Sequence, residues 1–138
     1  MRNTLTLSAL AALMLAVSTP VALAGDAAAG EENWRDCRSC HSIVSDAGDT
    51  IQRGGRTGPN LYGLPGRVVG GVDGFRYSEG MQALAASGLT WNEALFTEYM
   101  ADPTAFIAAH GGSGRSGMNF RLTEGAADMW AYLQSVSQ

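Results

Sequence analysis

The residues best suited to chemistry lie in one short run, Cys37-Arg38-Ser39-Cys40-His41. Two thiols three positions apart fall about one helical turn from each other, so both can face the same edge of a bound group. An imidazole follows at once. The pattern fits a porphyrin tethered by two thioether bonds, each made by adding a thiol across a haem vinyl group, with His41 on the iron. The same five residues also fit a thiol–disulfide redox pair, half of a zinc site, or a structural disulfide. Zinc takes about four ligands, and beyond this run the chain offers no third cysteine and one further histidine, His110. A redox C-x-x-C pair usually sits in a βαβ setting, and no such pattern follows. The residues around the run favour covalent haem.

An iron bound by His41 keeps a second axial position, and its occupant decides the chemistry. A strong protein ligand there makes an electron carrier, whereas an open position binds gas or peroxide. The candidates are Met81, Met100, Met118, Met129 and His110. A methionine at helical spacing is usually a soft gap-filler in the core, which suits Met81, Met100 and Met129. Met118 differs, because it follows a glycine-rich loop and precedes Asn119-Phe120, outside any predicted helix. A loop can carry its thioether to the far face of the ring, so Met118 is the expected ligand. Thioether ligation favours ferrous iron and raises the potential relative to two imidazoles.

The elements that position these residues read as helices joined by long loops. Asp26 caps a helix from about Ala27 to Asp36, with Gly30, Trp34 and Cys37 on one face. Ser42 to Thr57 is polar and glycine-rich, and reads as a loop. Turns continue through Thr57-Gly58-Pro59-Asn60-Leu61-Tyr62-Gly63-Leu64-Pro65-Gly66-Arg67. Val68-Val69 is at most a scrap of strand. Ser78 caps a helix over Glu79 to Ala86, which Gly88 ends. Thr90-x-x-Glu93 has the form of a capping box opening a helix over Trp91 to Ala101. Asp102-Pro103 starts another, running to about Ala109. Gly111 to Gly117 must be a surface loop. Thr123 caps a last helix, Glu124 to Val136, whose Ala126, Met129, Trp130, Leu133 and Val136 form one apolar stripe. No alternating run is long enough for a sheet, so the fold is predicted to be all-α, mostly helix and loop, in one domain.

The first 24 residues stand apart. Arg2 gives a positive start, Leu5 to Val17 is apolar, Pro20 breaks the run, and Ala22-Leu23-Ala24 has the small-x-small form of a signal-peptidase site. Residues 1–24 are therefore expected to be a cleaved signal peptide, and residues 25–138 the functional domain. The rival is a retained membrane anchor, since Leu5 to Ala24 is nearly long enough to span a bilayer. Export suits two cysteines destined for thioethers. The formal charge of the 138-residue chain is −4. Arg2 is the leader's only charge, so the remainder carries −5. All nine basic residues are arginines. This acidic balance argues against a nucleic-acid partner.

Residues 25–138 resemble the class I c-type cytochromes, above all the bacterial cytochrome c2 group. The shared landmarks are Cys37-x-x-Cys40-His41, Thr57 to Gly63, Gly66-Arg67, Phe75-x-Tyr77-Ser78, Leu89-Thr90-Trp91, Tyr99 to Pro103, Met118 and Trp130-x-Tyr132-Leu133. The resemblance implies four to five helices and long loops wrapped around one covalent haem c. It implies that the Pro59 carbonyl accepts from His41, and that Arg67, Tyr77 and Trp91, helped by Ser78, hold the haem propionates. It puts the Tyr99 phenol on the Met118 sulphur, and Gly30, Trp34 and Tyr132 at the contact of first and last helices. It implies a monomeric periplasmic electron carrier rather than an enzyme. The donor would be a membrane quinol–cytochrome c oxidoreductase. The acceptor would be a photosynthetic reaction centre, a terminal oxidase or a periplasmic reductase. The chain departs from the family's lysine-ringed haem edge, offering Arg38, Arg53, Arg56, Arg115 and Arg121 instead. Its loops Ser42 to Thr57 and Ala108 to Gly117 are longer than in the mitochondrial relatives.

Overall fold

The computed structural model of the chain describes residues 24–138. The expected signal peptide, residues 1–24, therefore lies outside the described residues except for Ala24. Five α-helices and one two-stranded sheet follow in order. Helix α1 spans Ala27–Asn33 and tightens into a 3-10 turn at Trp34–Asp36. Strands β1 (Ile43–Val44) and β2 (Thr50–Gln52) come next. Then come α2 (Glu79–Ser87), α3 (Glu93–Ala101), α4 (Pro103–Ala109) and α5 (Ala126–Val136). The mostly helical architecture agrees with the sequence.

The caps explain the helix starts. Asp26 accepts from the amides of Ala28 and Ala29, Ser78 from Met81, and Asp102 from Ala105, with Pro103 in the first turn. Two expected starts move. Asn92, not the Thr90 capping box, caps α3 by accepting from Leu95 at 2.9 Å, because Thr90 is engaged in an isolated antiparallel bridge with Val68. Helix α5 begins at Ala126 after left-handed Gly125 rather than behind Thr123. Gly88, also left-handed, closes α2 as expected.

The region read as a plain loop, Ser42 to Thr57, contains an antiparallel hairpin pairing Ile43 with Gln52 and Val44 with Thr50. Ile43 is fully buried while β2 is mostly exposed, so neither strand gives an alternating pattern long enough to read. Gln52 Nε2 donates to the Tyr132 hydroxyl at 2.7 Å and ties the hairpin to α5.

Helices α1 and α5 pack closest of all. A Cβ on Gly30 would lie 2.1 Å from the Asp128 carbonyl oxygen and 2.7 Å from Tyr132 Cβ, so only glycine admits this approach. The Asp26 amide also donates to the Asp128 carboxylate. The buried core then runs from Trp34 and Ile43 through Leu84, Phe96, Phe106 and Ile107 to Met129, Trp130 and Leu133. Trp91, Tyr99 and Phe106 form an aromatic cluster: Trp91 stacks on Phe106 at 5.6 Å, and Tyr99 meets both edge-on.

Candidate functional site

A cleft of about 420 Å³ opens between the Cys37–His41 turn on one side and the Ser116–Phe120 segment on the other. Its floor is apolar, with Leu61, Leu64, Met81, Phe96, Met100 and Met129 among the lining residues. Every site residue expected from the sequence lines it: Cys37, Cys40, His41, Pro59, Arg67, Tyr77, Ser78, Trp91, Tyr99 and Met118. His110 does not. Its Nε2 lies 3.0 Å from a Glu98 carboxylate oxygen and its ring packs on Phe106. Met81, Met100 and Met129 share the lining but are buried core residues, whereas Met118 is half-buried and carried on a loop.

The thiol pair sits on a helical turn. The Cys40 and His41 amides both donate to the Cys37 carbonyl, at 3.1 and 3.0 Å. The thiols differ in surroundings. Burial, then the Asp36 carboxylate and Cys40, push Cys37 up to about 11, while hydrogen bonds from Thr57 and Ser39 lower Cys40. The segment after the hairpin clasps this turn: the Gly55 amide donates to the Arg38 carbonyl and that of Gly58 to the Cys40 carbonyl.

His41 is held in one protonation form by its neighbours. Its Nδ1 lies 2.7 Å from the Pro59 carbonyl oxygen, which can only accept. Nδ1 therefore carries the hydrogen, and the lone pair stays on Nε2. Burial is the main cause that lowers the imidazole's affinity for a second proton; the Pro59 bond opposes it, and the Arg67 charge adds to it. The ring lies flat against Gly58, where a Cβ would come within 2.3 to 2.7 Å of three ring atoms. Neutral imidazole with a free Nε2 is the form that binds a metal.

Arg67 threads between turns. Its Nη1 donates to the carbonyls of Asn60 and Tyr62, at 3.0 and 2.9 Å. Its Nε is buried without a partner. A buried guanidinium nitrogen left unpaired is costly, and a carboxylate entering the cleft would satisfy it. The Tyr77 hydroxyl accepts from the Val72 amide at 3.3 Å, and Phe75 packs edge-on to its ring. Ser78 serves as the α2 cap.

On the opposite wall the Tyr99 hydroxyl lies 3.2 Å from Ser116 Oγ, where the resemblance puts it on the Met118 sulphur. Burial raises the Tyr99 pKa, with Ser116 opposing. Ser116 and its partner Thr104 escaped the sequence reading. A serine in a glycine-rich stretch reads as solvent-exposed loop, and only its place two residues before Met118 hinted otherwise. A flat, largely apolar group bearing carboxylates and an iron fits these walls: thiols at one edge, one imidazole, a thioether opposite, and a guanidinium whose buried Nε lacks a partner.

Comparison with known proteins agrees with this geometry. No protein-family model matches the chain. Cytochrome c-551 of Roseobacter denitrificans is 48% identical over 122 residues, covering 87% of each chain. Cytochrome c2 of Rhodobacter capsulatus is 43% identical over 138 residues, 99% of this chain and 98% of that one. Its crystal structure superposes with a TM-score of 0.79 at 42% identity, covering 83% of this chain and all of the other. Ferric cytochrome c-550 of Paracoccus versutus gives 0.79 at 37% identity, over 83% of this chain and 99% of that one.

Proposed function

This chain belongs to the cytochrome c2 and c-550 family of haem c electron carriers, which are not enzymes, and from that premise we propose how its own residues serve the role. Cys37 and Cys40 would hold the porphyrin through thioethers, His41 Nε2 and the Met118 sulphur would ligate the iron, and Arg67, Tyr77 and Trp91 would receive the propionates. When bound, the haem supplies one-electron exchange between ferrous and ferric iron. The observation that carries this reading is the His41–Pro59 bond. It leaves Nε2 unprotonated and orients the ring, as a permanent ligand requires.

The chain's residues limit rearrangement around that group. Gly58 and Pro59 fix the imidazole plane. The aromatic cluster of Trp91, Tyr99 and Phe106 backs the cleft. Arg67 Nε supplies a donor for a carboxylate that would otherwise lie buried and unpaired. Cys40 is exposed at the mouth, so that edge is the route for electrons to a partner.

The proposal extends to a soluble, monomeric, periplasmic protein, exported by residues 1–24. It takes electrons from a membrane quinol–cytochrome c oxidoreductase and passes them to a reaction centre, terminal oxidase or periplasmic reductase. Among the described residues no helix is long and apolar enough to cross a membrane. One experiment tests the core of it: visible and near-infrared spectra of the ferric and ferrous protein, with carbon monoxide added to the latter. The weak near-infrared band of methionine–iron ligation, absent in Met118→Ala, and negligible carbon monoxide binding are expected. Rapid carbon monoxide binding by the parent would instead point to an open iron site, as in a gas sensor or peroxidase-like protein. The mass of the mature protein shows whether residues 1–24 are removed and whether one haem is added.

A further inference from the structure

Aromatic residues aside, Ser116 is the one buried polar side chain among the described residues, at 6% exposure, yet Arg115 and Gly117 on either side are exposed. Burial of a lone serine in an exposed loop needs a reason, and its contacts supply one. Its amide donates to Thr104 Oγ1 at 3.1 Å. Its Oγ accepts from the Met118 amide at 3.0 Å and lies 3.2 Å from the Tyr99 hydroxyl. A hydroxyl can accept twice and donate once, so these contacts are mutually compatible. If Ser116 donates to the Tyr99 oxygen, the phenol's own hydrogen remains available to a further acceptor in the cleft.

The loop is anchored on both sides of this point. Upstream, a Cβ on Gly80 would lie 2.3 Å from the Ser113 carbonyl oxygen, so the loop rests directly on the α2 backbone. Downstream, the Leu122 amide donates to the Met100 carbonyl at 2.8 Å, and Arg121 pairs with Asp102 at 2.7 Å. Between these anchors the Met118 amide is tied to Ser116 Oγ, while its side chain packs against the core. Thr104 is well placed for this, because it sits in the first turn of α4, fixed by the Asp102 cap and Pro103.

We infer that Thr104 and Ser116 form a positioning latch that keeps the Met118 thioether on its axial position and sets how readily that position opens to other ligands. The inference rests on Met118 being the ligand. Thr104 does not line the cleft; it acts through the Ser116 backbone.

The test uses ferric holoprotein of the parent, Thr104→Val, Thr104→Ser and Ser116→Ala. Valine keeps the shape of threonine and removes the acceptor, whereas serine keeps the hydroxyl. Imidazole added in solution reaches the iron only when Met118 leaves, so its association rate reads the latch. Losing the one bond from the Ser116 amide should raise that rate about five- to tenfold in Thr104→Val, and losing both Oγ contacts, to the Met118 amide and the Tyr99 hydroxyl, should raise it at least as much in Ser116→Ala. Thr104→Ser should stay within about twofold of the parent, since its hydroxyl still accepts. Hydrogen exchange at the Ser116 amide should accelerate in Thr104→Val and not in Thr104→Ser, independently of what binds the iron. Equal imidazole rates in all four proteins, or unchanged Ser116 exchange in Thr104→Val, overturn the latch. A parent lacking the near-infrared methionine band overturns the Met118 assignment instead, and Ser116 exchange then still decides whether Thr104 holds the loop.

Discussion

At the scale of single residues, the site depends on atoms that are missing as much as on those present. Gly58 is the sharpest instance. A methyl group there would meet the His41 ring at 2.3 to 2.7 Å, so Gly58→Ala must push the imidazole off its plane or stretch the Pro59 bond. We expect about 1–3 kcal/mol of lost stability, the range for an overpacked interior, together with a weakened methionine–iron band, read by denaturant melts and near-infrared absorption. Trp34 makes the opposite case. Its indole nitrogen is buried with no partner, and Trp34→Phe removes that unpaired donor along with some buried area. The two effects oppose, so the change should stay within about 1 kcal/mol, against about 3–5 for Trp34→Ala. A loss for Trp34→Phe as large as for the alanine variant would show an unrecognised partner. That Cys37, Cys40, His41 and Met118 would meet around one cleft was legible because their chemistry and spacing are unusual. Ser116, Thr104 and Asn92 were not, because small polar residues look alike until a fold decides which of them meets a partner.

At the scale of elements, α1, α2 and α4 were legible at their starts because each carries its own cap, Asp26, Ser78 and Asp102, with Gly88 behind α2, whereas α3 and α5 were legible as helices but not at their first residues. The strands of the Ile43–Val44 and Thr50–Gln52 hairpin were not, since two or three residues cannot show a period. Thr90 misled for a related reason: a local capping signal lost to a long-range bridge with Val68. The contact of α1 with α5 closes the fold around the cleft, for it fixes the helix that leads into the Cys37–His41 turn. Gly30→Ala would drive a Cβ to 2.1 Å from the Asp128 carbonyl oxygen and 2.7 Å from Tyr132 Cβ. Backbone cannot yield as a flexible side-chain tip can, so the helices must separate. The expected loss is at least about 2 kcal/mol, toward the upper part of the overpacking range. It should appear as a lower denaturant midpoint, with the near-infrared band intact in the fraction that remains folded. A midpoint equal to the parent's would mean the two helices have slack that the structure does not show.

At the scale of the whole molecule, charge and core point to separate consequences. Arg38, Arg53, Arg56, Arg115 and Arg121 are all exposed but none lines the cleft, Arg121 is already paired with Asp102 at 2.7 Å, and the chain's net charge is negative. Attraction to an acidic partner should therefore be weak, and the electron-transfer rate should fall with salt less steeply than for a lysine-ringed relative. Stopped-flow rates across a salt series check this, and a flat or rising rate would remove the arginine patch from docking. The core leads to the stronger expectation. Leu61, Leu64, Met81, Phe96, Met100 and Met129 all border the cleft of about 420 Å³, so much of the apolar interior faces space that only a bound group fills. An unfilled cavity costs on the order of 24 cal/mol per Å³, or about 10 kcal/mol here if it stayed dry. That is comparable to the whole stability of a small domain, about 5–15 kcal/mol. Water entering through the mouth lowers this penalty but leaves the apolar lining wet, which forfeits burial instead. The double variant Cys37→Ala/Cys40→Ala, purified without haem, should accordingly show no cooperative thermal transition, while the haem-bearing parent melts cooperatively. A sharp, reversible melt of the haem-free variant would mean that the helices and loops alone hold the fold, and that the porphyrin is a passenger in a finished core rather than a part of it.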